Sequence, residues 1–415
     1  MNIKLKYGDK LQEVNIDDEK VIDIIHQNTY QTELSSNNEI ERSLKNPISS
    51  KRLKDIVKGN DKVVIITSDI TRSCPSSMII PEIIKELYKA GISSDNIEIV
   101  FALGSHRKHT EEEMRHLVGD SVFEIIKCVD SNSDDVINMG YTKNGTPVDI
   151  FKDVAGADIR IGVGNIEYHY FAGYSGGAKA IMPGVSTFSA IQKNHSLMLE
   201  ENAVAGNCDT NPVRLDIEES IEFCPLDFIV NVVLNENKEV IKCFSGDFIK
   251  AHREGCRFLD SIYKIEVKKR ADIVIVSQGG YPKDINFYQL QKALDNTKGI
   301  VDKHGIIILL GECREGFGNK SFENAFLKSN SPEEIISYIK SNFELGTHKA
   351  AAISNILLNN DIYLVSDMDR EVVNKCFIKS FSNLQEAYES AKKSTNDGDV
   401  IVMPYGGSTL PYVNS

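Results

Sequence analysis

The stretch VVIITSDITRSCPSSMIIPEIIKELYKA, residues 63–90, combines an apolar run, a polar loop and an amphipathic segment. Its first four residues are β-branched and carry no charge, which is typical of a strand buried on both faces of a parallel sheet. After a break at Pro75, apolar residues recur at helical spacing from Ile79 to Ala90. Asp69 and Arg72 therefore lie on a strand-to-helix loop, and in open α/β sheets such loops form the crevice that binds ligands.

The same pattern occurs twice more in the first half of the chain. The apolar run 97–103 is followed by a loop that carries His106, and then by Thr110-Glu-Glu-Glu113, a capping box that predicts the start of a helix. A third apolar run, 158–163, leads directly into a glycine-rich stretch. Because parallel strands of this kind end at one edge of their sheet, we expect the three loops to meet there.

The second half of the chain repeats the alternation of strands and helices. A predicted strand pair at 227–233 and 239–244 precedes a helix, and four further predicted strands follow at 273–277, 306–310, 362–365 and 400–403. We place a domain boundary near 265–272, which gives an N-terminal domain of residues 1–268 and a smaller C-terminal domain of residues 269–415. The predicted fold class is α/β, with two doubly wound domains.

Composition and charge exclude several classes of protein. The 415 residues are 41% hydrophobic and 26% charged, as in globular proteins. A net charge of −13 argues against nucleic acid as a partner, because binding phosphate backbones needs a basic face. The longest apolar runs are too short to span a bilayer, and the N-terminus lacks the apolar core of a signal peptide. We therefore expect a cytoplasmic protein.

The eight cysteines are scattered along the chain and include no C-x-x-C pair. This spacing predicts neither a zinc site nor a disulfide framework. We expect reduced thiols that are mostly buried.

The most unusual stretch of the sequence is NIEYHYFAGYSGGAKAIMPGVSTFSAIQKNH, residues 165–195. Its segment Gly173–Lys179 holds three glycines, which let backbone N–H groups approach an anion closely, and ends in a lysine that could meet a phosphate or a cofactor. His169 lies ten residues before this lysine and His195 sixteen residues after it. Only tertiary folding can bring both imidazoles to one place, and a shared site is the natural reason to do so.

Three other interpretations of this region remain open from the residues alone. Gly162-Val-Gly164 begins like a dinucleotide fingerprint, but Glu167 stands where the third glycine belongs. Gly173-Tyr-Ser175-Gly-Gly177 satisfies the G-x-S-x-G pattern of an α/β-type serine hydrolase, with Ser175 as nucleophile, although the preceding segment is short and aromatic. Lys179 also suits a Schiff base with a pyridine aldehyde cofactor.

Taken together, the motifs of this chain resemble those of the nickel-pincer-nucleotide enzymes of the lactate racemase family. The resemblance runs nearly end to end, and its motifs are specific as a set although each alone is weak. The matching segments are Ser68–Arg72, Gly104–His106, Tyr168–Lys179 with His195, Gly279–Asp284, Tyr288–Gln289 with Lys292, and Gly406–Pro411.

The resemblance implies nickel and a nickel-pincer nucleotide, a pyridinium-3-thioamide-5-thiocarboxylic acid mononucleotide whose two sulfurs and one ring carbon hold the metal. Lys179 corresponds to the lysine that is attached covalently to this cofactor through a thioamide. His195 corresponds to the protein ligand that completes a square around the metal, a geometry that suits Ni(II). The remaining cofactor contacts carried over from the family fall on Asp69, Thr71, Ser175, Gly176, Gly177 and Tyr288.

The resemblance also implies which residues act on the substrate. His106 and His169 match the pair that take and return the hydroxyl proton, and Arg72 can hold the substrate carboxylate with two hydrogen bonds. Gln289 and Lys292, from the second domain, match groups that contact the cofactor or the substrate. The active site is therefore expected in the cleft between the two domains.

The implied reaction is the racemisation or epimerisation of a 2-hydroxy acid, either lactate or a somewhat larger acid. Hydride removal from the α-carbon to the metallated pyridinium avoids a carbanion beside the carboxylate, and hydride returns to the opposite face. The expected partners are the small acid and the proteins that make the cofactor, with no nucleic acid and no membrane. The competing class is a non-catalytic cofactor-binding protein, which the presence of both His106 and His169 disfavours.

The helix predicted after His348 bears on the choice of substrate. It continues as Ala350-Ala351-Ala352, where the family often carries a bulky aromatic residue. Small residues beside the substrate would open space for its side chain. Acids longer than lactate are therefore expected to be accepted.

Overall fold

The protein is described from a computed structural model that covers residues 1–235, 237–341 and 346–414. These residues form two compact units. The first unit is Tyr30–Asp260, and the second combines Met1–Thr29 with the chain from Ser261 onward. Each unit contains a six-stranded sheet with parallel strands, so the predicted α/β class is confirmed.

The strands within the described residues are numbered in chain order. They are β1 (Asn2–Tyr7), β2 (Lys10–Asn15), β3 (Val21–Ile24), β4 (Val63–Ser68), β5 (Ile97–Ala102), β6 (Lys127–Asp130), β7 (Val136–Tyr141), β8 (Pro147–Phe151), β9 (Ile159–Asn165), β10 (Tyr168–His169), β11 (Gly173–Tyr174), β12 (Phe228–Leu234), β13 (Val240–Gly246), β14 (Lys264–Val267), β15 (Ala271–Ser277), β16 (Val301–Leu310), β17 (Asp361–Val365), β18 (Lys379–Phe381), β19 (Val400–Met403) and β20 (Leu410–Val413).

The α-helices of the same residues are numbered likewise. They are α1 (Ser36–Lys45), α2 (Leu53–Ile56), α3 (Ser76–Lys89), α4 (Glu111–Val118), α5 (Asp120–Phe123), α6 (Lys152–Ala155), α7 (Phe188–Ser196), α8 (Pro212–Glu219), α9 (Lys250–Tyr263), α10 (Phe287–Asp295), α11 (Lys320–Leu327), α12 (Pro332–Ser341), α13 (Thr347–Leu357), α14 (Arg370–Asn374) and α15 (Leu384–Ser394). Helix α4 begins at the predicted capping box, in which Thr110 and Glu113 each bond the other's backbone amide. None of the described helices has the length and apolarity needed to cross a bilayer.

The sheet of the first unit places β9, β4 and β5 side by side. Its strand order is β13-β12-β9-β4-β5-β6, and every neighbouring pair is parallel except β12 with β13. The prediction that these three strands end at one edge of a sheet is therefore confirmed. The predicted pairing of the strands near 227–233 and 239–244 is also confirmed, as the antiparallel pair β12 and β13.

Strand β4 contributes to a core on each face of this sheet. Val63 and Ile65 belong to the core that contains the buried residues of α3, whereas Val64 and Ile66 belong to the core on the other side, with Ile181 and its neighbours. Each such side chain contributes about 1.5–3 kcal/mol of burial free energy. Burial on both faces explains why the strand is an uninterrupted apolar run rather than an alternating one.

The sheet of the second unit is entirely parallel and takes its edge strand from the N-terminus. Its order is β18-β17-β16-β15-β19-β3, so β3 pairs with β19 near the far end of the chain. The predicted division at residue 268 put the first 29 residues in the first domain, whereas this pairing places them in the second unit. The four residues of β3 are only half-buried, and nothing in so short a segment predicts which strand it pairs with.

Candidate active site

A pocket in the first unit collects most of the predicted site residues. It lies at the carboxyl ends of β4, β5 and β9 and opens to solvent. The predicted residues that line it are Asp69, Arg72, His106, His169, Ser175, Gly176, Gly177, Lys179 and His195. Folding thus brings together side chains that are far apart in the sequence, as expected for a shared site.

The loop after β4 holds a buried carboxylate that orients His106. The side chain of Asp69 accepts hydrogen bonds from the Thr71 hydroxyl, at 2.8 Å, and from Nδ1 of His106. Burial alone would raise the pKa of Asp69, but these hydrogen bonds and the nearby charges outweigh it, and the pKa is lowered. Asp69 is therefore ionised at neutral pH. Because Nδ1 of His106 is the donor, Nε2 is the nitrogen left to accept a proton.

A second histidine, His109, fixes the backbone of the same loop. Its Nε2 accepts a hydrogen bond from the amide of Ile70 at 3.0 Å, and its Nδ1 donates to the carboxylate of Asp130 at 2.6 Å. No motif of the sequence assigns this histidine to the site. His109 therefore supports the loop that carries Asp69 but does not line the pocket.

The glycine-rich stretch forms a tight hairpin followed by a single helical turn. Strands β10 and β11 pair antiparallel, and residues Gly177–Ala180 form a 3₁₀ turn that carries Lys179. Gly173 has a φ of 75°, and a Cβ atom at this position would lie 2.0 Å from the carbonyl oxygen of Asn207. Only glycine fits both the conformation and the space, so a glycine is required at this position of the predicted segment Gly173–Lys179.

Two buried side chains, those of Arg214 and His252, donate hydrogen bonds to backbone carbonyl groups of this hairpin. The guanidinium of Arg214, which is fully buried, donates to the carbonyl oxygens of Ala172, Tyr174 and Gly176. Nε2 of His252 donates to the carbonyl of Ser175 at 2.8 Å. These bonds fix consecutive peptide groups of the segment 172–177, which we call the anchoring loop, and so determine the direction of its backbone.

The environment of Lys179 favours an uncharged amine. Part of the side chain faces the cavity, while the protein around it removes most of its hydration. This loss of hydration lowers the pKa of Lys179 well below its usual value, and the charges of Arg214 and Arg72 lower it further, against a small opposing effect of Glu167. A neutral amine is the form that reacts with an electrophilic carbon.

His169 and His195 pack against one aromatic ring. Their imidazole centres lie 4.5 Å and 4.9 Å from the ring centre of Phe171, both edge-to-face. Nδ1 of His169 accepts a hydrogen bond from the amide of Ala172 at 3.3 Å. The neutral ring of His169 therefore carries its proton on Nε2. The tautomer is the opposite of the one that Asp69 imposes on His106.

The pKa of His169 is also displaced. Loss of hydration lowers this pKa well below its usual value, and the neighbouring positive charge of Arg72 acts in the same direction. His169 is therefore neutral at neutral pH and presents an N–H donor.

His195 lies on α7 with one ring nitrogen oriented by a neighbour. Its Nδ1 is 3.2 Å from the side-chain oxygen of Asn194, a residue that is itself fully buried. With the proton on Nδ1, Nε2 is the nitrogen suited to a metal, and such an orienting hydrogen bond is usual for histidine ligands.

Two family descriptions match the chain over most of its length. The lactate racemase N-terminal domain matches residues 7–206, and the lactate racemase C-terminal domain matches residues 266–410. The chain belongs to the lactate racemase family. It is accordingly an enzyme of the racemase class, an isomerase, and the resemblance inferred from the motifs is confirmed.

Individual members of the lactate racemase family are similar over their whole length. The lactate racemase of Thermoanaerobacterium thermosaccharolyticum is 34% identical, with 99% of each chain covered. That of Lactiplantibacillus plantarum is 32% identical, with 97% of this chain and 98% of the relative covered. The solved structure of the Thermoanaerobacterium thermosaccharolyticum lactate racemase apoprotein has a TM-score of 0.92 at 32% identity, with 100% of each chain covered. A Thermotoga maritima protein, 17% identical, shares the fold with a TM-score of 0.65 over 91% of this chain and 98% of its own.

Three residues predicted from the lactate racemase motifs lie in the second unit. Tyr288, Gln289 and Lys292 are on α10, where Lys292 is exposed and the other two are half-buried. The ring of Tyr288 packs edge-to-face on Phe322, and its carbonyl accepts a hydrogen bond from Lys349 at 2.7 Å. Their roles toward cofactor and substrate stay predictions.

The competing interpretations of the glycine motifs lose their structural basis. The hydroxyl of Ser175 donates to the carbonyl of Asn165 at 2.7 Å and accepts from the amide of Glu167 at 2.9 Å, so it ties backbone segments together. It also follows a two-residue strand rather than the long strand of a nucleophile elbow. Gly162 and Gly164 lie inside β9 and not on a turn into a helix, so no dinucleotide fingerprint is formed.

The prediction of a larger substrate assumed that the small residues after His348 lie beside the substrate. Ala350 and Ala351 are fully buried in the hydrophobic core of the second unit, beside the residues of α10 and α11. Helix α13 packs closely on these neighbours, which explains why small side chains are needed there. Ala351 therefore opens no space for a substrate, and that part of the interpretation is wrong.

Sequence reasoning missed the residues that support the anchoring loop. Besides Arg214 and His252, Asn231 lies at the pocket and its side-chain oxygen accepts the amide hydrogen of Gly177 at 2.7 Å. The Asn211-Pro212 pair marks a helix start and so places Arg214 in a first turn. Nothing in the sequence, however, shows that this arginine turns inward.

We predict that Arg214→Met destabilises the protein by about 3 kcal/mol or more, because buried carbonyl oxygens left without a donor cost about 1–3 kcal/mol each. Urea unfolding measures the change. The exposed Arg257 on α9 provides the matched control, since Arg257→Met should alter the unfolding free energy by less than about 0.5 kcal/mol. Equal stabilities of the two variants would contradict the role given to Arg214.

Proposed function

We propose that this chain racemises a small 2-hydroxy acid such as lactate, with a nickel-pincer nucleotide attached to Lys179. The observation that carries the proposal is the convergence of Arg72, His106, His169, Lys179 and His195 on one pocket. The proposal is further supported by relatives that are named lactate racemase and are similar from end to end.

The donor set of the pocket fits the proposed cofactor. A lysine with a lowered pKa suits covalent attachment, since more of its amine is in the uncharged, nucleophilic form. The imidazole of His195 is a donor that Ni(II) accepts, and the positive charge of Arg72 at the pocket suits an anionic nucleotide. When bound, this group supplies the acceptor and donor of hydride at the α-carbon.

The residues of the chain would then bind the acid and move its hydroxyl proton. Arg72 lies at the pocket, where its guanidinium can hold a carboxylate with two parallel hydrogen bonds. Nε2 of His106 takes the hydroxyl proton, and the ionised Asp69 stabilises the imidazolium that results. This pairing of carboxylate and imidazole gives His106 the character of a base.

His169 would serve the opposite enantiomer. In the neutral ring its Nε2–H can donate a hydrogen bond to the substrate oxygen, and the ring would return a proton to that oxygen from its imidazolium form, after it has itself taken up a proton. The two histidines thus present different nitrogens to the same pocket, Nε2 without a proton in His106 and Nε2 with a proton in His169. A racemase needs such a pair because the hydroxyl must be deprotonated on one side and reprotonated on the other.

The test of this function compares two preparations of the protein. One is made together with the proteins that build the nickel-pincer nucleotide, and the other without them. Chiral chromatography should detect conversion of L-lactate to D-lactate only with the first preparation. Equal activity of both preparations, or none in a preparation shown to carry the cofactor, would refute the proposal.

The reactivity of Lys179 can be measured before any cofactor is attached. Because its pKa is lowered, more of its amine is free at a given pH, and its reaction with trinitrobenzenesulfonate should level off at a lower pH than that of an ordinary lysine, whose pKa is about 10.4. Peptide mass spectrometry of the apoprotein between pH 6 and 10 compares Lys179 with the exposed Lys51. A Lys179 rate that still climbs tenfold per pH unit at pH 9 would contradict this prediction.

A further inference from the structure

Two cysteines and a histidine meet beside the anchoring loop. The sulfurs of Cys208 and Cys256 and a ring nitrogen of His252 all lie within 4.8 Å of one another, and all three residues are buried. His252 and Cys256 are one turn apart on α9, while Cys208 comes from the irregular segment that precedes α8. The scattered cysteine spacing predicted no such cluster, because only the fold brings residue 208 to α9.

The two sulfurs of this cluster are chemically unequal. The pKa of Cys208 is lowered, first because the Cys256 thiol donates a hydrogen bond to its sulfur and then because Arg214 and Arg253 are near, although burial opposes the shift. Burial and the Cys208 sulfur raise the pKa of Cys256 far above its usual value. Cys208 is therefore the sulfur that becomes a thiolate, and Cys256 keeps its proton.

The cluster has the geometry of a thiol pair rather than of a metal site. Both nitrogens of His252 are engaged, since Nε2 donates to the carbonyl of Ser175 and Nδ1 lies 3.1 Å from the guanidinium of Arg253. The sulfur of Cys256 is 3.7 Å from each ring nitrogen, and not on the axis of the Nδ1 lone pair. A metal would have to displace the arginine before it could use this imidazole.

We propose that Cys208 and Cys256 form a redox-active pair that a peroxide closes into an intramolecular disulfide. The Cys208 thiolate attacks one peroxide oxygen, the O–O bond breaks, and a sulfenic acid and hydroxide form. The Cys256 sulfur then gives up its proton and attacks the Cys208 sulfur, and the S–O bond breaks as water leaves. The two sulfurs lose two electrons in total, and the peroxide is reduced to two waters.

This disulfide would act directly on the anchoring loop. The amide of Gly206 donates to the carbonyl of Gly173 at 3.1 Å, and the hydroxyl of Tyr174 donates to the carbonyl of Gly206 at 3.2 Å. Cys208 is thus two residues from Gly206, which is hydrogen-bonded to the anchoring loop. Cys256 is one helical turn from His252, which donates a hydrogen bond to the carbonyl of Ser175 in the same loop. Closing the bond ties both supports of the loop together. The bond itself does not depend on the proposed function.

The test uses the full-length apoprotein, freed of reductant and treated with a few equivalents of hydrogen peroxide. Its mass should fall by about 2 Da, the two hydrogens lost in a disulfide, and dithiothreitol should restore it. Trypsin should release the peptide 194–214 joined to the peptide 254–257. Cys208→Ser and Cys256→Ser should each abolish this joined peptide.

The fully buried Cys224 is the matched control, since Cys224→Ser should leave the yield of the joined peptide unchanged. Two results would overturn the proposal. One is peroxide-treated protein in which peptides 194–214 and 254–257 stay separate. The other is one zinc ion bound per chain, when zinc alone is added, in a manner that needs Cys208, Cys256 and His252 together.

Discussion

Lys179→Ala is expected to abolish racemisation, to below the detection limit, because no other residue in the described pocket offers a lysine amine for the covalent bond to the cofactor. The substitution should leave the fold intact. It shortens a half-buried side chain that faces the pocket, so the free energy of unfolding of the apoprotein should change by less than about 1 kcal/mol. Intact mass of protein made with the cofactor-building proteins measures the loss of the adduct.

Lys193→Ala is the matched control, because Lys193 is an exposed lysine on α7 in the same stretch of sequence. This variant should keep both the adduct and full turnover. An active Lys179→Ala variant would contradict the tether. An adduct on Lys179 that borohydride reduces as an imine would indicate instead the Schiff-base chemistry that the sequence alone leaves open.

His106→Gln and His169→Gln should each lower the rate of racemisation by about 10²–10⁴-fold, the range expected for the loss of a general acid or base. Nickel content and the Lys179 adduct should remain, because neither histidine is the predicted metal ligand. The rate should fall in both variants, since the proposed cycle uses one histidine on each face of the substrate. Chiral chromatography from each pure enantiomer, together with metal analysis, measures both effects.

His116→Gln provides the control for these variants, since His116 is exposed on α4. Its rate and nickel content should match those of the unchanged protein. Near-normal turnover of either site variant would show that the corresponding histidine is not an acid–base group. Loss of nickel from either variant would show that it supports the metal instead.

Much of the first unit could be predicted from local patterns. The apolar run at 63–66 predicted a strand, which β4 contains, and the loops carrying Asp69 and His106 lie at the predicted edge of the sheet. Such predictions succeed because a strand that is buried on both faces is an uninterrupted apolar run in the sequence. The steric need for Gly173 likewise marks the anchoring loop.

The supports of the site could not be predicted in the same way. Arg214 and His252 act through bonds to backbone carbonyls, which leave no pattern in the residues that accept them. The place of β3 at the edge of the second sheet depends on a pairing across nearly the whole chain. The burial of Ala351 in a core depends on the packing of α13, and a family comparison of side-chain size alone does not reveal it.

The central claim is that this chain inverts a 2-hydroxy acid by moving the α-hydrogen as hydride. The most direct test follows the deuterium of L-[2-²H]lactate in ordinary water, with protein made together with the cofactor-building proteins. The account predicts D-lactate that retains deuterium at the α-carbon, because hydride does not exchange with solvent. D-lactate that has lost its deuterium to water would show proton abstraction instead, and would contradict the account.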